Sequence, residues 1–277
     1  MHRVHAVAVQ DGAVVAEAGE GGLVTFMRSS LKPFQALPLA RARDDLGEEE
    51  LAIASASHLA LPTQLAAVRS LLARAGAGED DLECGAEGHP PARVHHNCSG
   101  KHAGMLALCG VRGWRREGYR LAGHPVQEAA RAELAVAADV PVDELASAVD
   151  GCGVVTFALP LERMAFAFSR LRSLEAGNRV ADAMRLHPEL IRGPGAPDTV
   201  LMQARPGWVA KGGAEGLMCA VGPGGLGVAL KVEDGAGRAV GPALAAFLAE
   251  LGHPLGELAV LPLENSRGER VGDVLPA

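Results

Sequence analysis

A serine that precedes a lysine by three residues is the first feature of this sequence that could carry out chemistry. The segment 28–35 reads RSSLKPFQ, and at the start of a helix its spacing places Ser29 and Lys32 on one face, about one turn apart. A serine hydroxyl is a poor nucleophile at neutral pH, but a neighbouring neutral lysine can accept its proton. The pair therefore predicts a serine nucleophile with an amine as base. The alternative interpretation is a helix cap followed by a solvated lysine.

The scarcity of lysine strengthens the catalytic interpretation. Of the 26 basic residues only four are lysines, and the other 22 are arginines. Because arginine stays protonated in proteins, a composition that has drifted towards arginine keeps lysine mainly where an amine has to lose a proton. The four lysines are Lys32, Lys101, Lys211 and Lys231.

A second group of reactive side chains lies near the middle of the chain. The segment 95–102 reads HHNCSGKH, in which Cys98 and Lys101 repeat the three-residue offset. A cysteine of low pKa near a helix N-terminus can be a nucleophile or a metal ligand, and the alternative is a packed thiol in a polar loop. Cys152 stands between two glycines just after Asp150, where the alternative is a buried thiol in a glycine turn. Two such thiolates, with Lys101 or a histidine as third ligand, could hold zinc.

A third lysine precedes two glycines, at Lys211-Gly212-Gly213. Serine acyl-transfer enzymes of the β-lactamase and penicillin-binding class have an S-x-x-K helix start, then a second serine motif, then a lysine and glycine on a strand. Ser57, followed by His58, stands in the middle position of that order here. The alternative for Lys211 is a solvated loop lysine.

Composition and charge narrow the class of protein. The chain has 277 residues, 48% of them hydrophobic, which is enough for a sizeable core in one compact unit. The formal charge of −7 and the dispersed basic residues argue against a nucleic-acid binder and favour a small neutral or anionic metabolite as partner. We expect neither an export signal nor a membrane span, and hence a soluble cytoplasmic protein without membrane contact. Five cysteines, an odd number, favour reduced thiols or metal ligands over disulfides.

Strand patterns lie at both ends of the sequence and helix patterns lie between them. Segments 4–9 and 13–16 predict a hairpin with a tight turn at Asp11-Gly12, and segment 24–27 predicts a third strand. Further strands are predicted at 216–221 and 226–233, with loops at 84–97 and 193–198. A helix is predicted to begin near Ser29 and to be kinked or short because of Pro38. The other predicted helices cover 48–58, 63–75, 101–109, 126–138, 142–149, 161–171, 180–186 and 242–251.

This order predicts an α+β fold. The N- and C-terminal strands would form one antiparallel sheet covered by helices, with a mostly helical region at about 60–190, all within a single domain spanning 1–277.

The motifs taken together resemble the rhizobial-type L-asparaginase family, also called class 3 or asparaginase II. They follow one another in order over nearly the whole chain. No single motif is specific for the family, but several of them together are. The matching segments are 28–38, 56–58, 96–105, 150–153, 193–199 and 211–216.

The resemblance implies a fold similar to serine β-lactamases and glutaminases, a homodimer, and hydrolysis of L-asparagine to L-aspartate and ammonia. Ser29 with Lys32 would be one serine–lysine pair, and Ser57 with Lys211 a second. Lys231 would be left on a strand surface. The zinc ligands would be Cys98, Lys101 and Cys152, and the substrate-binding residues would be Arg28, His102 and Asp150.

The hypothesis that follows is covalent catalysis. Neutral Lys32 takes the proton of Ser29, whose oxygen attacks the side-chain amide, and water then cleaves the acyl-enzyme, with Ser57 and Lys211 relaying protons to the departing ammonia. Backbone N–H groups at the helix start would stabilise the oxyanion.

One departure from the family keeps other functions open. After His58 the family continues with a small residue, Gly and Glu, whereas residues 59–61 here are Leu, Ala and Leu, which removes a carboxylate. The rival hypotheses are a hydrolase that attacks with zinc-bound hydroxide, a β-lactamase-like or peptidase-like acyl transferase, and a non-catalytic amino-acid-binding or zinc-stabilised protein that has kept the pocket.

Overall fold

Strands from the two ends of the chain form the central sheet. The computed structural model describes residues 1–276, and in this range the strands are β1 (Val4–Gln10), β2 (Ala13–Ala18), β3 (Val24–Phe26), β4 (Ser147–Val149), β5 (Val155–Pro160), β6 (Val209–Gly213), β7 (Leu217–Val221), β8 (Gly227–Val232), β9 (Leu261–Glu264) and β10 (Arg270–Val274). The central sheet has the order β2-β1-β8-β7-β6, with every neighbouring pair antiparallel. The predicted α+β class and the joining of the two ends are confirmed.

The N-terminal hairpin forms as predicted. Asp11 and Gly12 both have positive φ, 51° and 80°, which is the backbone that a tight primed turn requires. β1 is buried along its length because β8 pairs with it on its other side, from Val4 opposite Val232 to Val9 opposite Gly227. Lys231, expected on the strand surface, is buried on β8, where its amine donates to the carbonyl of Val232.

A smaller sheet interrupts the helical region and corrects one prediction. The segment 142–149, predicted as a helix, contains β4, which pairs with β5 in a three-stranded sheet of order β3-β5-β4. Segments this short do not distinguish helix from strand by periodicity, and the pairing with β5 decides the outcome. β3 also belongs to this sheet, and so it does not extend the hairpin.

Ten α-helices surround the sheets in the described residues 1–276. They are α1 (Lys32–Ala42), α2 (Glu48–Ala54), α3 (Pro62–Arg74), α4 (Ser99–Arg112), α5 (Pro125–Ala138), α6 (Leu161–Arg170), α7 (Gly177–Leu186), α8 (Pro188–Ile191), α9 (Pro197–Ala204) and α10 (Val240–Glu250). None of them is long and apolar enough to cross a membrane. α2 ends before residues 55–58, which were predicted to be helical, because the N–H groups of Ser57 and His58 donate to Ile191 and Asn97 on other segments.

α6 lies across β1, β8 and β7, and Gly227 permits this close approach. A Cβ at position 227 would lie 2.0 Å from the carbonyl oxygen of Ala165 and 2.7 Å from the amide nitrogen of Ser169, both backbone atoms of α6. Gly227→Ala is therefore expected to destabilise the protein by roughly 3 kcal/mol, because helix and sheet must separate. The check is the urea-unfolding midpoint.

Gly237→Ala is the matched control, since a Cβ there has no heavy atom within 4 Å. Its midpoint should stay close to that of the wild type. Equal midpoints for the two variants would contradict the proposed role of Gly227.

Candidate active site

A cavity of about 380 Å³ opens along β6, at the edge of the central sheet. Two serines predicted to be catalytic, Ser29 and Ser57, contribute to its wall, as does Lys211. The wall also contains Asn97, Arg192, Asp198 and Glu215. The cavity thus brings together hydroxyl, amine, guanidinium and carboxylate groups that are far apart in the sequence.

Ser29 is positioned by a tight turn that leads directly into α1. Residues Arg28–Leu31 form a 3₁₀ turn, and the N–H of Lys32 donates to the carbonyl of Ser29. Side chains three residues apart eclipse in this geometry, so Ser29 and Lys32 lie on the same side of the turn. Arg28 has a φ of 51°, an uncommon value for a residue with a side chain, and its N–H donates to Thr156 Oγ1 at 3.0 Å. Strained backbone of this kind concentrates at functional sites.

Lys32 is completely buried, and its amine is bonded to Ser57. Its Nζ lies 2.5 Å from the carbonyl oxygen of Ala56, 2.8 Å from Ser57 Oγ and 3.2 Å from Cys98 Sγ. An ammonium has three N–H groups, and these three contacts take all of them. The hydroxyl that Lys32 contacts in the structure is therefore that of Ser57, whereas the sequence analysis paired Lys32 with Ser29. Burial lowers the pKa of Lys32 from its ordinary value.

Lys211 extends from β6 and is also buried, which excludes the alternative of a solvated loop lysine. Its Nζ donates to the carbonyl of Gly212 at 2.7 Å and lies 3.8 Å from Asp198 Oδ2. Burial lowers the pKa of Lys211 to about 7, although the Asp198 carboxylate acts in the opposite direction. Lys211 is thus bonded to Gly212 and paired with Asp198, whereas the prediction paired it with Ser57.

Two thiols and a third lysine lie behind Lys32. Lys101 Nζ donates to Cys152 Sγ at 3.0 Å, and all three residues of the predicted zinc site are buried. A hydrogen bond from Cys152 lowers the pKa of Cys98, burial opposes this, and the charges of Lys32 and Lys101 lower it further. The pKa of Cys152 is raised in turn, by its hydrogen bond to Cys98 and by burial. The charges of Lys32 and Lys101 thus favour a thiolate at Cys98, whose sulfur lies 3.2 Å from Lys32 Nζ.

The donor types of this cluster match those that zinc prefers. Among residues 1–276 no three His, Cys, Asp or Glu side chains gather into a group that could hold a metal, so Lys101 would have to be a ligand. Sulfur and nitrogen donors are typical of zinc sites. Cys98 and Cys152 would supply two sulfur donors, and Lys101 would supply one nitrogen donor. Burial lowers the pKa of Lys101 but the two sulfurs raise it above its ordinary value, so ligation would have to displace a bound proton.

The three residues predicted to bind substrate occupy two different environments. Arg28 Nε lies 2.6 Å from Asp150 Oδ1, and Arg28 Nη1 lies 3.4 Å from Glu215, so Arg28 and Asp150 form an ion pair beside the cavity. His102 is fully buried on α4, with Nδ1 2.6 Å from the hydroxyl of Tyr119. His102, expected to bind substrate, therefore lies in the interior and is not part of the cavity wall.

The family model described as L-asparaginase II matches residues 1–276. The chain belongs to the L-asparaginase II family. No curated protein matches the sequence.

Two solved structures share the fold of this L-asparaginase II family member. Mglu in its native form matches with a TM-score of 0.55 at 13% identity, over 92% of this chain and 66% of that chain. Mglu in its tris and glutamate form matches with a TM-score of 0.52 at 14% identity, over 92% of this chain and 60% of that chain. This chain therefore spans less than two thirds of the length of either. At such identity the likeness concerns the fold alone, and the expected relation to serine β-lactamases and glutaminases stays a prediction.

Several polar residues that the sequence analysis gave no role support the site of this family member. His58 is buried, and its Nδ1 accepts from the N–H of Ala60 at 3.1 Å while Nε2 lies 2.8 Å from Ser99 Oγ. Burial lowers the pKa of His58 to about 4. Since Ser99 donates its own proton to the carbonyl of Val94, His58 is neutral with its proton on Nε2.

Asp198 and Arg192 are the cavity residues that the analysis missed. Asp198 Oδ2 accepts from the N–H of Gly212 at 3.1 Å, which ties α9 to β6. Its position at the end of a Gly- and Pro-rich loop, within the family-like segment 193–199, was a signal that could have found it. Arg192 is one of 22 arginines and had no such signal.

Proposed function

We propose that the chain hydrolyses the side-chain amide of L-asparagine to L-aspartate and ammonia through a serine–lysine mechanism. The observation that carries this proposal is the 2.8 Å hydrogen bond between the buried amine of Lys32 and Ser57, in a cavity whose wall also contains Ser29. Burial lowers the pKa of the Lys32 amine and so favours its neutral form, and the Ser29 hydroxyl on the same side of the turn is its partner in proton transfer. Membership of the family supports the amide as substrate.

The first half of the reaction forms an ester. Neutral Lys32 accepts the Ser29 proton while Ser29 Oγ attacks the amide carbon. The C–N bond then breaks, and the departing nitrogen receives a proton from Ser57, which recovers one from the Lys32 ammonium. The hydrogen bond from Lys32 to Ser57 already has the direction that this transfer needs.

In the second half, water attacks the ester carbon, the bond from that carbon to Ser29 Oγ breaks, and Ser29 Oγ takes a proton from the Lys211 ammonium that forms in this step. Lys211 in its neutral form takes a proton from the attacking water, a role for which a pKa of about 7 is well matched. The test of the whole proposal is ammonia release from saturating L-asparagine by the purified protein. Absence of turnover together with retained binding of L-asparagine would favour the alternative of a non-catalytic amino-acid binder.

The pH dependence tests the role of Lys211. Because neutral Lys211 is required for cleavage of the ester, kcat should rise with pH through an inflection at about 7. Asp198 favours the charged form of Lys211, so Asp198→Asn should lower its pKa and move the inflection about 1 unit towards lower pH. The matched control is Asp182→Asn, which removes an exposed carboxylate paired with Arg172 and should leave the inflection in place. An inflection that stays fixed or moves upward in Asp198→Asn would exclude this assignment.

We also propose that Cys98, Lys101 and Cys152 hold zinc. Bound there, zinc would neutralise the sulfurs and fix the position of Cys98, which touches the amine of Lys32 at 3.2 Å. Cys152→Ala is expected to purify with less than about a tenth of the zinc per chain that the wild type carries, because a ligand is lost. Cys109→Ala removes a buried thiol on α4 outside the cluster and should keep its zinc. Elemental analysis gives both values, and equal contents would refute the ligand set.

A further inference from the structure

Arg192 differs from the other cations in and beside the cavity wall in having no acidic partner. Arg28 is matched by Asp150 and Glu215, and Lys211 lies 3.8 Å from Asp198. No carboxylate of residues 1–276 is in ion-pair contact with Arg192. Its charge is strong enough at this site to contribute to the lowered pKa values of both Lys211 and His58. An unmatched, half-buried guanidinium facing a cavity is a site for an anion.

The guanidinium of Arg192 is held beside the serine that serves the reaction. Its Nη1 donates to the carbonyl oxygen of Ser57 at 2.8 Å. A guanidinium has five N–H groups in a planar fork, and this hydrogen bond uses one of them. The others remain for a carboxylate, whose two oxygens match the fork.

Gln64 fixes the backbone from which Arg192 extends. Its side chain is fully buried, and its amide nitrogen donates to the carbonyls of Glu189 and Arg192 at 2.8 and 3.0 Å. Its amide oxygen accepts from the N–H groups of Leu59 and Leu61 at 2.8 and 3.0 Å. The Gln64 side chain thus hydrogen-bonds both the segment that follows Ser57 and the segment that carries Arg192. Arg192 is therefore preorganised, which lowers the entropic cost of binding.

We propose that Arg192 binds the α-carboxylate of the substrate, so that the site selects amides that also carry a free carboxylate. The identity of the reacting amide rests on the function proposed above, whereas the carboxylate site does not. In L-asparagine two carbon atoms separate the carboxylate carbon from the amide carbon, so an anchor next to Ser57 holds the amide near the reacting groups. A neutral analogue leaves Arg192 unpaired and binds more weakly.

The direct test is calorimetric titration with L-aspartate, which carries the same α-carboxylate and does not turn over. Arg192→Gln is expected to weaken its binding roughly 10- to 100-fold, because a charge-assisted contact is lost. Arg192→Lys keeps the charge but not the fork, and should recover only part of the affinity. Arg112→Gln makes the same change of net charge at the exposed end of α4 and should bind as the wild type does. Unfolding midpoints confirm that each variant is folded.

A second arm separates the carboxylate from the rest of the substrate. For L-asparagine, Arg192→Gln should raise KM by the same factor and change kcat little, whereas KM for L-asparaginamide, which lacks the carboxylate, should be the same in both proteins. L-aspartate binding unchanged in Arg192→Gln, or an equal rise of KM for both substrates, would overturn the proposal. If no amide is hydrolysed but L-aspartate binding still depends on Arg192, the proposed function fails and the carboxylate site stands.

Discussion

Ser29→Ala is expected to lower kcat for L-asparagine by about 1,000-fold or more, because no hydroxyl remains to form the ester. Ser29 lies on the same side of the turn as Lys32 and contributes to the cavity wall, so its loss removes the attacking atom and leaves the amines in place. KM should change much less than kcat. The measurement is ammonia release, combined with mass spectrometry of the protein after rapid acid quenching, which should show the acyl adduct in the wild type alone.

Ser30→Ala is the control that the chain itself offers. Ser30 is the next residue, it is fully buried, and its hydroxyl donates to the carbonyl of Met27 at 2.7 Å. Its removal should cost about 1 kcal/mol of stability and leave kcat within a few-fold of the wild type. Wild-type turnover in Ser29→Ala would eliminate Ser29 as nucleophile, and an adduct on Ser57 would transfer that role to Ser57.

The sheet could be predicted largely because its signals are local. The apolar run over 4–9 and the turn at Asp11-Gly12 define the hairpin, and strand patterns near both ends predict that the ends pair. β5 and β6 were missed for a physical reason. β5 is mostly buried and β6 ends in two glycines, so neither shows the alternation that marks a strand with one face in solvent.

The residue types of the site could be predicted, but their pairing could not. The S-x-x-K spacing fixes the side of the turn on which Ser29 and Lys32 lie. The partner of the Lys32 amine depends instead on where α2 ends, since Ala56 and Ser57 reach it only from an extended segment. Tertiary contacts decide where α2 ends. The sequence pattern over 48–58 does not contain this information, and it predicted helix through Ser57.

The scarcity of lysine proved informative for the three amines of the site, all of which are buried. The same composition gave no indication of Arg192, because arginine is abundant in this chain and no single arginine stands out. The scarcity of lysine does not identify a site residue in every case, because Lys231 is buried outside the site. A rare residue type therefore indicates a constraint on the amine, and the neighbouring atoms decide whether that constraint is catalysis or packing.

Lys32→Met is expected to lower kcat for L-asparagine by about 1,000-fold, since it removes the base of the first step and the proton donor to Ser57. Lys32→Arg should be equally inactive, because a guanidinium cannot lose its proton and therefore cannot accept one from Ser29. The activity of both variants should stay low as pH rises to 10, in contrast to the wild type. Rates of ammonia release across pH give the comparison.

Lys231→Met separates this effect from the mere loss of a buried amine. Lys231 is buried like Lys32, but its amine donates to the carbonyl of Val232 on β8, away from the cavity wall. Its kcat should remain within a few-fold of the wild type. If Lys32→Arg kept more than about a tenth of the wild-type rate, positive charge alone would suffice at this position, and proton transfer through Lys32 would be excluded from the mechanism.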